Sequence, residues 1–237
     1  MKDKLLYEGK AKQVFTVKDS DELLVLSYKN DATAFNGEKK ANFEGKGRYN
    51  NLISAKVFEY LRKNGVNSHF KEALNETEQL VEKTTIIPLE VVVRNVAAGS
   101  IVRRLGIEEK STFHPPLVEF YYKKDELGDP FISDSHALLL TDATEDELAQ
   151  IKQMVLRVNE KLQAFFKEIH LQLVDFKLEF GRNQTGEIIL SDEVSPDTCR
   201  LWDVRTGEKM DKDVFREDLG DLISVYDQIL TRLEAIQ

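Results

Sequence analysis

Cysteine is almost missing from this chain of 237 residues. Cys199 is the only one, which excludes an internal disulfide and a cysteine-based zinc site. Histidine is sparse as well: His69, His114, His136 and His170 are scattered without metal-ligand spacing, so none is assigned a catalytic role, and His114, before two prolines, is expected in an extended loop. No apolar run approaches the roughly 20 residues that cross a bilayer, and the opening MKDKLLYEGKAKQ has no signal-peptide core. A cytoplasmic location is expected. Positive charge is in deficit, with 33 Lys and Arg against 42 Asp and Glu and a net charge of −9. That balance argues against wholesale binding of nucleic acid or an anionic membrane. Small anions remain possible ligands where cationic side chains are concentrated or metal ions intervene.

What is present is ordinary for a soluble domain: 41% hydrophobic and 32% charged residues, with no repeat and no low-complexity segment. The length allows one large domain or two closely packed lobes. LLYEG, QVFTV and ELLVLSY read as short strands separated by polar turns. NLISAKVFEYLRKNG reads as a helix with Ile53, Val57 and Leu61 on one stripe and Asn64-Gly65 as its stop. Two more strands are expected between His69 and Lys83. Thr84 to Leu89, with Pro88, reads as a hinge, because proline fixes φ and cannot continue a ladder. EVVVRNVAAGSIVRRLG combines a buried strand, a small-residue turn and a short helix. Thr144 to Glu147 matches a capping box opening a long helix to about Ile169. A last helix is expected from about Asp213 to the C-terminus. The architecture is α+β, with a β-rich lobe over 1–84 and a larger mixed α/β lobe over 85–237.

The most informative stretch runs from Leu173 to Asp203. Val174, Phe176, Leu178 and Phe180 alternate with Asp175, Lys177 and Glu179. Strand side chains point alternately to opposite faces, so the apolar set is expected to pack inward and the charged set to converge on the other side. An Asn- and Gly-bearing turn follows, and the second strand, GEIILSDE, ends at Asp192 and Glu193. Acids flanking a lysine on one face suit Mg²⁺ held against a nucleotide phosphate. The same pattern also fits a structural ion-pair ladder.

Three further motifs carry chemistry, each with an ordinary counterpart. Gly9-Lys10-Ala11-Lys12, between two strands, can close over a triphosphate, although the four residues also fit a solvated turn; it is not a Walker A loop. Arg94 at a strand end, followed by Ala97-Ala98-Gly99-Ser100 at a helix start, can bind a phosphomonoester through a guanidinium fork and backbone donors. A capped helix with exposed arginines is the alternative. Arg200 is either a second phosphate ligand or a surface partner of Asp197 or Asp203, and the residues alone favour the surface pair. Trp202 is expected in the core, and Cys199 as a spectator thiol.

Together GKAK, the loop NDATAFNG (30–37), VVVRNVAAGS, VDFKLEFG and SDEVSPDTCRLWD resemble the bacterial SAICAR synthetase (phosphoribosylaminoimidazole-succinocarboxamide synthase) family of purine biosynthesis, over essentially the whole chain. The resemblance implies a two-lobed SAICAR synthase-like, ATP-grasp-like fold with ATP between the lobes. It implies a ligase in which ATP activates the carboxylate of carboxyaminoimidazole ribonucleotide as an acyl phosphate. The amine of L-aspartate then forms the amide, and ADP and phosphate leave. By the same resemblance Lys10, Ala11 and Lys12 lie over the ATP phosphates, and the adenine lies near Lys83 to Leu89. Glu179 and Asp192 are implied as the Mg²⁺ carboxylates, and Lys177 as the lysine beside the activated carboxylate. Arg94, Ser100 and Arg200 are implied as the clamp on the ribonucleotide phosphate. Lys123, Asp129 and Arg216 are implied around the imidazole. Asn36 stands where some relatives carry an acid, so no general-base role carries over to it. Bacterial relatives imply a homodimer. Two competing readings are a small-molecule kinase of related two-lobed build and a non-catalytic nucleotide-binding module.

Overall fold

The computed structural model describes residues 2–34 and 37–236. The first strands follow the apolar patterning: β1 (Lys2–Glu8), β2 (Lys12–Val17) and β3 (Ser20–Tyr28) form an antiparallel meander. A small hairpin, β4 (Asp31–Ala34) and β5 (Lys39–Asn42), leads to helix α1 (Lys46–Lys63). Strands β6 (Phe70–Ala73) and β7 (Glu78–Glu82) complete a five-stranded sheet in the order β1-β2-β3-β7-β6. Ile53, Val57 and Leu61 of α1, one turn apart, are all fully buried. They join the core of the second sheet rather than a separate core of the first. The helix stops where Asn64 caps it and Gly65 takes a left-handed φ of 76°.

The second sheet holds β8 (Thr85–Val96), β9 (Thr112–Tyr122), β10 (Phe131–Ile132), β11 (Leu171–Arg182), β12 (Ile188–Ser191) and β13 (Cys199–Asp203). Its order is β10-β9-β8-β11-β12, with β13 pairing the first half of β11. Every pairing in it is antiparallel. Between the strands run α2 (Ser100–Leu105), α3 (Asp134–Leu140) and α4 (Glu145–Glu168); α5 (Asp213–Arg216) and α6 (Leu222–Glu234) follow β13. Helix α4 opens on the expected capping box: the Glu147 N–H donates to Thr144 Oγ1, and the Thr144 N–H donates to the Glu147 carboxylate. Its Ile151, Val155 and Leu162 pack with Val91, Val93, Leu178 and Phe180 of the sheet.

Four expectations are corrected. Thr84 to Leu89 is not a break, because β8 is continuous from Thr85. Pro88 is accommodated by a bulge: Glu90 faces Glu179 and Ile86 faces Gly181, so the ladder to β11 skips the residue without an N–H, while the Pro88 carbonyl still accepts from the Lys123 N–H at 3.0 Å. His114 and the two prolines after it lie in strand β9, not in a loop. The last helix is two helices: Asp218 and Gly220 adopt positive φ, and Asp221 caps α6 by accepting from the Ile223 N–H. Finally, a register shift between Leu173 and Asp175 interrupts the alternation of β11. Val174 therefore packs with Val96, Ala98 and Trp202, whereas Phe176, Leu178 and Phe180 join the main core.

Candidate active site

Beyond that bulge, β11 presents Lys177 and Glu179 beside each other. The Lys177 ammonium donates to Glu179 Oε1 at 2.7 Å and Asp192 Oδ2 at 3.0 Å, with Glu90 Oε1 of the neighbouring strand at 3.5 Å. Asp192 sits one residue past β12 with φ of 60°, a turn that sends its carboxylate back toward β11. Its carbonyl accepts from His69 Nε2 at 2.9 Å. From the other sheet Lys12 donates to both Asp192 and Glu193, and from β9's end Lys123 donates to Glu179 at 2.8 Å.

Burial alone would lower Lys177, but Asp192, Glu179 and Glu90 outweigh it and hold the ammonium well above its ordinary value. Lys12 is raised in the same way by Asp192 and Glu193 against the cost of burial. Burial would raise Asp192; Lys12, Lys177 and Lys123 instead hold it well below the usual carboxylate range. Burial pushes His69 down to about 4, so its imidazole is neutral at pH 7. The cluster is an ion-pair network, and it forms one wall of a cavity.

That cavity, about 530 Å³, lies between the two sheets. Lys10, Ala11 and Lys12 line one side, Lys123, Lys177, Glu179 and Asp192 the other, and Leu24, Leu26, Val81 and Ile86 give it an apolar end. Lys10 pairs with Asp125 at 2.8 Å, which ties the β1–β2 turn to the larger sheet's side. Asp129 also lines it, its carboxylate accepting from the Lys124 N–H. Lys83 is exposed and absent from the lining, whereas its neighbours Glu82 and Thr84 contribute to it. Asn36 lies outside the described residues.

A second cavity of about 300 Å³ adjoins the first, and Glu90, Lys177, Asp197 and Thr198 line both. Arg94, buried on β8, donates to Glu119 at 2.7 Å, Asp175 at 2.9 Å, Tyr121 at 3.1 Å and Ser100 at 3.2 Å. Arg200 is not the surface partner of Asp197 or Asp203. It is largely buried and donates to Asp175 at 2.9 Å and Asp213 at 2.8 Å, because β13 pairs with β11 and brings it opposite Asp175. Gly99 makes room for it: a Cβ there would lie 2.6 Å from the Arg200 guanidinium, and the backbone φ is 64°. Arg216 completes the wall through Asp213 at 2.6 Å.

The two cavities thus gather every proposed site residue except Lys83. Sequence reasoning missed Glu119, Tyr121 and Asp213, which orient the arginines, and Lys46, Lys212 and Tyr226, which surround Asp197. None carried a local signal. Trp202 is buried as expected, and burial raises the Cys199 thiol, as suits an unreactive cysteine.

The SAICAR synthetase family model matches residues 5–233. The phosphoribosylaminoimidazole-succinocarboxamide synthase of Oceanobacillus iheyensis is 64% identical over 234 residues, covering 99% of both chains. That of Bacillus subtilis is 54% identical over 236 residues, covering 100% of this chain and 98% of its own. Among solved structures, a type-2 SAICAR synthetase in complex with ADP superposes with a TM-score of 0.93 at 47% identity over 96% of each chain. The Ehrlichia chaffeensis synthase superposes with 0.95 at 43% identity, over 99% of this chain and 100% of its own. The chain therefore belongs to the SAICAR synthetase family, ATP-dependent ligases of purine biosynthesis.

Proposed function

We propose that this enzyme joins L-aspartate to the carboxylate of carboxyaminoimidazole ribonucleotide at the seam of the two cavities, with consumption of ATP. The observation that carries the reading is the position of Lys177, whose side chain lines both cavities and bonds both Glu179 and Asp192. ATP occupies the larger cavity, its phosphates under Lys10, Ala11 and Lys12 and its adenine at the apolar end near Leu24, Val81 and Ile86. The β-rich lobe, 1–84, closes over those phosphates, while 85–237 carries the rest of the site. The ribonucleotide occupies the smaller cavity, its phosphate on Arg94, Ser100 and Arg200, with Arg216, Lys123 and Asp129 around the imidazole. The 530 Å³ and 300 Å³ spaces meet where the γ-phosphoryl group and the imidazole carboxylate must meet.

Glu179 and Asp192 fit Mg²⁺. Both are buried or nearly so, both converge on one ammonium, and a pair of carboxylates completed by phosphate oxygens is the usual magnesium arrangement. When bound, the ion neutralises phosphate charge and polarises the transferring group. Lys177 faces the carboxylate that is to be activated and offsets the repulsion between two anions. Phosphoryl transfer to that carboxylate forms a C–O–P linkage and releases ADP. The aspartate amine then attacks the acyl carbon: the C–N bond forms, the C–O bond to phosphate breaks, and the amine loses a proton. Positioning of three substrates supplies much of the rate. In keeping with bacterial relatives the enzyme acts as a cytoplasmic homodimer, which sedimentation and fractionation check.

The decisive measurement is ADP release with ATP, Mg²⁺ and the imidazole carboxylate, with and without L-aspartate. ADP release that depends on aspartate is expected. Release unaffected by aspartate would identify a kinase-like transfer, and nucleotide binding without turnover would identify a non-catalytic module.

A further inference from the structure

The seam between the cavities has a second side that the assignments above leave unused. Asp197 and Thr198 line both cavities together with Glu90 and Lys177, and the Lys177 N–H donates to the Thr198 carbonyl at 2.8 Å, so this turn abuts the reacting centre. Asp197 is buried and saturated. Lys46 donates to its Oδ2, and Tyr226 donates to its Oδ1 at 2.6 Å. Burial would raise its pKa, but Lys212 and Lys46 hold it far below the usual range, so it is a fixed anion and not a proton acceptor.

Lys212 differs from the other cations of the site. Among the described residues the one acceptor of its ammonium is Asp197, at the long distance of 3.5 Å, and Lys46 already occupies the same oxygen. Its side chain is only 12% exposed and lines the larger cavity, as do Thr198, Asp31 and Thr33. Burial lowers its pKa, with Lys46 and Arg216 adding repulsion and Asp197 and Glu193 only partly compensating. One carboxylate is thus shared by two buried ammonium groups. The surplus positive charge and the unused N–H donors of Lys212 face open space, an arrangement completed by a small anion. The triphosphate has Lys10 and Lys12, and the ribonucleotide phosphate has Arg94 and Arg200. The remaining anion is the dicarboxylic amino acid.

We propose that Lys212, backed by Asp197 and Lys46, anchors a carboxylate of the L-aspartate co-substrate and holds its amine over Thr198, facing the carboxylate beside Lys177. This rests on the functional reading above. In that arrangement the amino acid enters from the Asp31/Thr33 end of the larger cavity, and the anchor binds ground and transition states alike. Lys212 is therefore a binding residue, expressed in KM rather than kcat.

The test is steady-state kinetics of Lys212→Met and Lys212→Arg, with succinate as an amine-free probe. Lys212→Met should raise KM for L-aspartate roughly 10- to 100-fold, the range expected for loss of one charge-assisted hydrogen bond. KM for ATP and for the imidazole carboxylate should stay within about twofold, and Lys212→Arg should recover part of the loss. Succinate should inhibit the wild type competitively against aspartate and lose potency in Lys212→Met by a similar factor. Unchanged ADP binding by calorimetry shows that the variant is folded. An unchanged KM for aspartate, or equal rises in all three KM values, overturns the anchor. So does a loss confined to kcat, which would make Lys212 a proton acceptor instead. A wild type lacking aspartate-dependent ADP release overturns the functional reading itself, a result visible before any variant is made.

Discussion

Lys12 and Asp192, 180 positions apart, form an ion pair that joins the five-stranded sheet to the larger sheet across the floor of the cavity. Each lies in a motif with a local reading of its own, and together they bring the β1–β2 turn and the acidic strand end to one cavity. The same Asp192 carboxylate bonds Lys177, so the bridge between sheets and the charge at the seam are one network.

Removing the ammonium at that seam should stop the chemistry and leave the fold intact. Lys177→Ala is expected to lower kcat at least about 1,000-fold, since electrostatic stabilisation of developing charge is the largest loss available here. ADP formation by coupled assay gives the rate, and thermal unfolding verifies the fold. Turnover within about threefold of the wild type would remove Lys177 from the mechanism.

The two carboxylates that meet at Lys177 should set the metal requirement. Glu179→Gln and Asp192→Asn are each expected to raise the Mg²⁺ concentration for half-maximal turnover about tenfold or more. Titrating Mg²⁺ at saturating ATP measures this. An unchanged Mg²⁺ dependence in both variants would contradict the assignment.

Gly99→Ala should act on one substrate only. The added methyl meets the Arg200 guanidinium at 2.6 Å, and φ of 64° with ψ of −127° is a glycine-type conformation that costs other residues about 1–3 kcal/mol. KM for the ribonucleotide is expected to rise about tenfold while KM for ATP holds, with a fall of a few degrees in Tm. Equal effects on both substrates would show that the turn acts on the whole site.

Far from the site, Glu147 offers a pH-dependent contribution to stability. The Arg182 guanidinium, against the cost of burial, lowers its pKa from 4.5 to about 2. A depressed carboxylate favours the folded state above its unfolded pKa, and that contribution fades as pH falls from about 4.5 toward 2. Glu147→Gln should therefore destabilise by about 1–2 kcal/mol at pH 7, where it also weakens the capping box, and by less at pH 4. Urea unfolding at the two pH values measures the gap; a gap that widens on acidification would contradict the ion-pair account.

Much of the fold was legible in the chain, and for identifiable reasons. The stripe Ile53, Val57, Leu61 announced α1, and Thr144 with Glu147 announced α4, because helix periodicity and capping depend on residues within one or two turns. The motifs GKAK, VVVRNVAAGS, VDFKLEFG and SDEVSPDTCRLWD were recognisable as a set and proved to line two adjoining cavities. Pro88 misled because its effect on a ladder depends on whether the facing residue needs its N–H, and the bulge opposite Phe180 removes that need. Arg200 misled because nearby acids in sequence are poor guides to partners once a strand is paired.

By itself the sequence determined the alternation of β11 from Asp175 onward, the amphipathic faces of α1 and α4, the α+β order of the lobes and membership of the family. All are written in short-range spacing or in residue identity. Tertiary structure alone decided that Val174 leaves the main core, that Arg200 bonds Asp175 and Asp213, and that Lys46, Lys212 and Tyr226 surround Asp197. The physical reason is the same in each case. Local pattern sets the face a side chain takes, whereas its partner is set by strand register and by packing between residues many tens of positions apart.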